Sequence, residues 1–164
     1  MQNVLLLLDT SGSMHGEKIS ALVYAVERFI CGIKNITLCK EPSVAVITFG
    51  GNPAWSDFLP LSKFTLSSVE ARGETKLTEA LRKAAYMSVP ETVCVLVSDG
   101  MAMDGGFAKV RLECKAYAIA IGYDADLFML SRFTGSNERV FLPFEAERLP
   151  GYMMRHDFSL LEKP

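Results

Sequence analysis

Val4-Leu5-Leu6-Leu7-Leu8-Asp9-Thr10-Ser11-Gly12-Ser13 is the stretch that decides the fold of this chain. The unbroken apolar run at its start predicts a strand buried on both faces, as in a parallel sheet covered by helices. Oxygen-bearing side chains then occupy every second position, at Asp9, Ser11 and Ser13. Alternate residues of an extended or tightly turned segment point the same way. One carboxylate and two hydroxyls can therefore converge, and such ligands suit a hard cation such as Mg²⁺.

Further apolar runs continue this pattern along the chain. Strands are predicted over residues 44–49, 92–97, 116–121 and 139–141, with a short antiparallel edge strand near 55–59. Amphipathic helices are predicted over 16–33 and 75–86, from an N-cap at Asp124 to about 133, and from 149 onward. Buried strands alternating with helices predict an α/β fold, doubly wound around a mostly parallel six-stranded sheet with one short antiparallel edge strand. We expect a single domain over residues 1–157 and a short C-terminal tail over 158–164.

Two later loops offer further oxygen ligands. Thr75 follows Gly73 and Glu74 just ahead of a predicted helix, and Asp99 follows the apolar run 93–97. Ligand sites of parallel α/β sheets form outside the carboxyl ends of the strands. Because Asp9 and Asp99 both follow strands directly, the pattern predicts that they meet at this edge of the sheet.

The D-x-S-x-S run, together with the two later loops, resembles the metal-ion-dependent adhesion site (MIDAS) of von Willebrand factor A (VWA) domains, over residues 4 to about 154. The resemblance implies a Rossmann-like fold, Mg²⁺ as the cofactor with Mn²⁺ or Ca²⁺ as substitutes, and metal ligation by Asp9, Ser11, Ser13, Thr75 and Asp99. In the family the serines contact the metal directly, the aspartates act directly or through water, and the threonine joins with conformation. It also implies a metal-dependent protein-binding module whose metal accepts an Asp or Glu carboxylate from a protein partner.

A narrower resemblance rests on residues 6–14 and 16–19 and on the compact length. These features are similar to small stand-alone bacterial VWA proteins associated with tellurite resistance and stress gene clusters. That resemblance implies scaffolding of kinase, phosphatase or ATPase components from the same gene cluster.

Composition limits the kinds of binding partner and the cellular compartment that we expect for the protein. The chain has 164 residues, a net charge of −2 and a pI near 5.7, with scattered Lys and Arg, so we expect no nucleic-acid binding. We expect no membrane association, because no secretory signal and no apolar run of ~18 residues is apparent. The four cysteines have no C-x-x-C spacing, which favours free thiols and a cytoplasmic protein.

Five residues are candidates for a partner-binding rim, and each has a plainer interpretation. His15 is either a rim contact or a solvated loop residue, and Glu74 either assists the metal site or faces solvent. Met101 and Met103 either form an adaptable apolar contact or pack into the core. Trp55 is either a partner anchor or a cover for the sheet edge.

Two other functions compete with the binding module. A Mg²⁺-assisted, phosphatase-like hydrolase using Asp9 or Asp99 as base is disfavoured, because no Lys, Arg or second His stands at a recognisable spacing to stabilise an anion. A degenerate structural VWA domain is disfavoured by the complete ligand set. EF-hand, haloacid-dehalogenase, aspartic-protease and Walker A patterns are missing. We therefore predict that the protein is not an enzyme.

Overall fold

A computed structural model describes residues 3–36, 38, 40–101 and 106–157 of the chain. The strands in these ranges are β1 Asn3–Leu8, β2 Ser43–Thr48, β3 Ala54–Trp55, β4 Leu59–Pro60, β5 Thr92–Ser98, β6 Lys115–Ala120 and β7 Val140–Phe141. The α-helices are α1 Glu17–Lys34, α2 Leu77–Met87, α3 Leu127–Thr134 and α4 Leu149–Asp157. The predicted tail, 158–164, lies outside the described residues.

The strands form one sheet in the order β3-β2-β1-β5-β6-β7, and β4 also pairs with β2. β1, β2, β5, β6 and β7 run parallel, whereas β3 and β4 are antiparallel to β2. The predicted fold class is confirmed. The described sheet has seven strands rather than six because Ser56 interrupts the edge strand: its hydroxyl accepts a hydrogen bond from the Val46 amide at 3.0 Å.

Both faces of the sheet are covered, and β1 shows why its sequence is uniformly apolar. Val4, Leu6 and Leu8 pack with α1 and α4 in one core. Leu5 and Leu7 pack with α2 and α3 in the other core. Residues 4–8 are fully buried, so alternation of polar and apolar side chains would have placed polar groups in a core.

Two predicted helix starts are shifted by tertiary contacts. α2 begins at Leu77 rather than at Thr75, because the backbone of Thr75 forms an isolated antiparallel bridge with Gly50. α3 begins at Leu127, and its N-cap is Asp126, whose Oδ1 accepts from the Met129 amide at 3.0 Å. The prediction of Asp124 as the N-cap is therefore wrong.

Two further predictions from the sequence concern membrane-spanning helices and the state of the cysteines. None of the described helices combines the length and apolar character needed to cross a membrane. Cys31, Cys94 and Cys114 are free thiols, as predicted, and Cys39 lies outside the described residues.

Candidate metal centre

Backbone hydrogen bonds bring the loop after β1 against the loop before α2. The Gly12 amide donates to the Gly73 carbonyl at 2.9 Å, and the Arg72 amide donates to the Thr10 carbonyl at 2.7 Å. The Thr10 hydroxyl also accepts from the Gly50 amide at 2.9 Å, which ties the end of β2 to the same loop. Three chain segments are therefore fixed to one another around the residues that follow β1.

This close approach requires glycine at two positions. A Cβ atom on Gly50 would lie 1.8 Å from the Thr10 carbonyl oxygen. Gly73 has a φ of +71°, and a Cβ there would lie 2.5 Å from the Cα of Gly51. The two loops consequently meet through bare backbone, which holds the D-x-S-x-S segment in place.

Asp9 is fully buried and both of its carboxylate oxygens are hydrogen-bonded. Oδ1 accepts from the amide of Ser11 at 3.0 Å and from its hydroxyl at 2.6 Å. Oδ2 accepts from the Ser98 hydroxyl at 2.6 Å, a partner that the sequence analysis did not identify. Burial raises the pKa of Asp9 despite these hydrogen bonds, and the charge of Asp99 adds to the increase.

Ser11 and Ser13 place two hydroxyl oxygens side by side, 3.2 Å apart. Ser11 is buried, whereas Ser13 is exposed, so the pair leads from the Asp9 carboxylate to solvent. The Ser11 hydroxyl donates a hydrogen bond to Asp9. The lone pairs of its oxygen therefore remain available to a hydrogen-bond donor or a cation. Neutral oxygens backed by a buried carboxylate fit a hard divalent cation.

Asp99 is also fully buried, but its carboxylate is already paired with a cation. Its Oδ1 accepts from the Met101 amide at 2.9 Å, and its Oδ2 lies 2.9 Å from the Lys18 ammonium. Lys18 also lies 2.9 Å from Asp124, whose pKa is lowered by this contact. Burial opposes the charge on Lys18, but the two carboxylates together raise its pKa.

Lys18 and Asp124, like Ser98, are residues of the site that the sequence analysis missed. The sequence analysis found no lysine at a spacing suited to stabilise an anion, but the first turn of α1 starts directly beside the loop and brings Lys18 to Asp99. The place of Lys18 in the first turn of the helix that follows the D-x-S-x-S loop is the feature of the sequence that could have indicated this contact. The ammonium is held by two carboxylates, which leaves it poorly placed to stabilise an anionic substrate.

Thr75 lies next to the other candidate ligands through its backbone. The hydrogen bond between Gly12 and Gly73 joins its loop to the first loop, and its own backbone bridges Gly50. Among the described residues, no hydrogen bond joins the Thr75 side chain to Asp9, Ser11 or Ser13. Its role as a ligand remains a prediction.

The predicted rim residues differ in their surroundings. His15 and Glu74 are exposed, and Met101 is 40% exposed, while Met103 lies outside the described residues. Trp55 is 56% exposed on β3, and the Lys83 ammonium lies 4.3 Å from its ring centroid. All five remain predictions as partner contacts.

The donor types limit what this edge of the sheet can bind. In the described ranges, no three His, Cys, Asp or Glu side chains are grouped in a way that could hold a metal ion. A cation here would therefore use the serine hydroxyls beside the two carboxylates. This arrangement lies at the carboxyl ends of parallel strands, where the ligand sites of doubly wound α/β domains form.

The sequence model of the von Willebrand factor type A domain matches residues 4–101, and the chain belongs to this family. Adhesion and protein binding are the known activities of the family. The family membership predicted from the D-x-S-x-S run and the two later loops is thereby confirmed.

Individual relatives are distant. Inter-alpha-trypsin inhibitor heavy chain H2 of Mesocricetus auratus is 25% identical to this chain in an alignment that covers 85% of this chain and 17% of that protein. The chain therefore spans about a sixth of the length of that curated relative.

Two solved structures illustrate the shared fold. An aerotolerance-related membrane protein from Bacteroides fragilis superposes with a TM-score of 0.69 at 14% identity, over 94% of this chain and 99% of that one. The manganese-loaded TRAP protein of Plasmodium vivax superposes with a TM-score of 0.68 at 14% identity, over 91% of this chain and 71% of that one. At such identities the likeness shows the fold alone.

Proposed function

We propose that this protein is a metal-dependent protein-binding module. In this proposal Ser11 and Ser13 hold a divalent cation, supported by Asp9, Thr75 and Asp99. Mg²⁺ is the expected ion, with Mn²⁺ or Ca²⁺ as substitutes. The bound cation would supply a Lewis-acidic position that accepts an Asp or Glu carboxylate from a protein partner.

The observation that carries the proposal is the hydrogen-bonded series from Asp9 through Ser11 to Ser13. Asp9 Oδ1 accepts a hydrogen bond from the Ser11 hydroxyl at 2.6 Å, and the Ser11 and Ser13 oxygens are 3.2 Å apart. The buried carboxylate thus orients the hydroxyl that lies next to the exposed one. A capped turn would need only one of these side chains.

Charge explains why a partner carboxylate would be favoured. Serine hydroxyls bring no negative charge, and both oxygens of Asp9 are already engaged by protein donors. Asp99 is balanced in part by Lys18. A divalent cation in this setting would keep uncompensated positive charge, which an external carboxylate can neutralise.

Exposure of the rim supports access by a macromolecule rather than by a buried substrate. Ser13, His15 and Glu74 are exposed on two adjoining loops. We include in the proposal that the chain acts in the cytoplasm without catalysis, as a scaffold for kinase, phosphatase or ATPase components of a stress or tellurite-resistance gene cluster. The narrow resemblance over residues 6–19 is what supports this last part.

The test compares immobilised wild type, Ser13→Ala and Ser20→Ala in a native lysate containing either Mg²⁺ or EDTA. Ser13 and Ser20 are both exposed serines, but only Ser13 belongs to the hydroxyl pair. We expect wild type and Ser20→Ala to retain a protein in Mg²⁺ and release it with EDTA or a glutamate-rich peptide. Ser13→Ala should retain at least about tenfold less, since losing one ligand of a small oxygen site costs on the order of 1.4 kcal/mol or more.

Equal retention by all three proteins, with and without EDTA, would contradict the proposal and move binding to another surface. Circular dichroism of each variant verifies that the fold is intact. Calorimetry with Mn²⁺ alone separates loss of the metal from loss of the partner.

A further inference from the structure

We propose that Lys18 is an internal cation that competes with the divalent metal for Asp99 and thereby sets the metal affinity of the site. The inference rests on the proposed function, because it concerns the same centre. It makes Lys18 a residue that tunes the affinity of the site for metal rather than a ligand.

Three short contacts define the position of the ammonium. Lys18 Nζ lies 2.9 Å from Asp99 Oδ2, 2.9 Å from Asp124 Oδ1 and 3.0 Å from Asp124 Oδ2. The side chain of Asp99 is 0% exposed and that of Lys18 is 19% exposed. The ion pair with Asp99 is therefore largely shielded from water, where charge interactions are strong.

Lys18 contacts the Asp99 oxygen that accepts no backbone hydrogen bond. Asp99 Oδ1 accepts the Met101 amide at 2.9 Å, so Oδ2 is the oxygen without a backbone donor, and Lys18 lies on it. A divalent cation that coordinated Asp99 would share this carboxylate with the ammonium, and the like charges would repel each other. If Lys18 stays, its positive charge remains beside the cation and weakens the binding of the metal.

Asp124 gives the displaced ammonium another position. The carboxylate of Asp124 is 41% exposed and already contacts Lys18 through both oxygens. Gly122 provides space for the aliphatic stem, because a Cβ there would lie 2.9 Å from Lys18 Cε. Lys18 can thus remain paired with Asp124 when Asp99 is released. This links the metal site to the loop between β6 and α3.

The experiment measures the Kd for Mn²⁺ by calorimetry in wild type, Lys18→Met and Lys34→Met. Lys34 is an exposed lysine in the last turn of α1 that forms no ion pair in the described ranges. Both substitutions make the same change in net charge on the same helix. We expect Lys18→Met to bind Mn²⁺ about tenfold more tightly or better, since a nearby positive charge is removed from a shielded site. Lys34→Met should match wild type.

The outcomes separate this inference from the proposed function. Equal or weaker binding by Lys18→Met than by wild type would overturn the inference and leave the metal-binding module in place. Binding by Lys18→Met alone would support the inference and contradict metal dependence of the native chain. No binding by any of the proteins would contradict both.

A second substitution guards against misfolding. Lys18→Gln also removes the charge but keeps a polar group that can hydrogen-bond Asp99 and Asp124. If Lys18→Met does not fold, Lys18→Gln takes its place: tighter Mn²⁺ binding than wild type supports the inference, and equal or weaker binding overturns it. Thermal melting without metal confirms that each protein compared is folded.

Discussion

Asp9 has a structural role in addition to the metal-binding role that we propose for it. Its carboxylate is buried and accepts hydrogen bonds from Ser11, in the loop after β1, and from Ser98, at the end of β5. Burial raises its pKa, so the ionised form depends on those donors. Replacement by alanine would leave a buried hydroxyl and amide without their acceptor, at a cost of about 1–3 kcal/mol. Ser13, which is exposed, is for that reason the better residue at which to test function.

Cys114 is a residue outside the candidate site whose reactivity depends on its neighbours. The Cys94 thiol donates to the Cys114 sulfur, and the Ser88 hydroxyl lies 3.7 Å from it. These donors lower the pKa of the partly buried Cys114 to about 7, whereas the pKa of Cys94, which is fully buried, is raised. A substantial fraction of Cys114 is therefore thiolate near neutral pH.

We predict that alkylation of Cys114 by iodoacetamide follows this pKa. The thiolate is the nucleophile, so the rate should rise through about pH 7 and level off above it. Peptide mass spectrometry of timed samples measures the rate. In Cys94→Ala the principal donor is gone, and the midpoint should move upward, toward the ~8.5 of an ordinary thiol. A wild-type rate that still climbs steeply above pH 8 would contradict the prediction.

At the scale of elements, α1 packs against the segment before α4 with almost no space between backbones. Gly32 lies inside α1, and a Cβ there would lie 2.2 Å from the Glu147 carbonyl oxygen. Side chains reinforce the same junction, because Glu147 forms an ion pair with Arg28 and accepts from Asn35 at 3.3 Å. The glycine in α1 is thus required by packing, although it weakens the isolated helix.

Two glycine-to-alanine substitutions test this explanation. Gly32→Ala should lower the free energy of unfolding by about 1–3 kcal/mol, since overpacking outweighs the gain in helix propensity. Gly151→Ala, in α4, meets nothing within 4 Å and should raise it by about 0.5–1 kcal/mol. Urea unfolding monitored by circular dichroism measures both. A stabilised Gly32→Ala would show that the two segments separate readily.

At the scale of the whole molecule, the candidate site joins segments that are distant in sequence. The loop after β1, the loop before α2 and the end of β5 are each tied to another by hydrogen bonds, through Gly12 and Gly73, and through Asp9 and Ser98. A ligand bound across these loops contacts a geometry that only the folded chain provides. Metal binding should consequently stabilise the entire domain.

We predict that Mn²⁺ at a hundredfold excess over its Kd raises the melting temperature by about 5–10 °C, since ~2.7 kcal/mol of binding energy is added to a domain of this size. Differential scanning calorimetry with metal and with EDTA measures the shift. Ser13→Ala should abolish most of the shift and Ser20→Ala should keep it. An equal shift in both variants would place the metal elsewhere.

By itself, the sequence determined the order of elements, the doubly wound parallel sheet and the candidate ligands Asp9, Ser11 and Ser13. These follow from local patterns, namely apolar runs as long as a strand, helical periodicity and an alternation of oxygen-bearing residues. Such patterns are written within a few consecutive residues, so no tertiary information is needed to read them.

Only the tertiary structure decided which distant residues meet. It assigned the ammonium of Lys18 to Asp99 and Asp124, the hydroxyl of Ser98 to Asp9, and the N-cap of α3 to Asp126. Asp124 and Asp126 are both acceptable caps by residue type, and the choice fell to Asp126 because its amide also bonds the Asp99 carbonyl at 2.7 Å. Contacts of this kind depend on how loops from separate strands pack together, which no local pattern records.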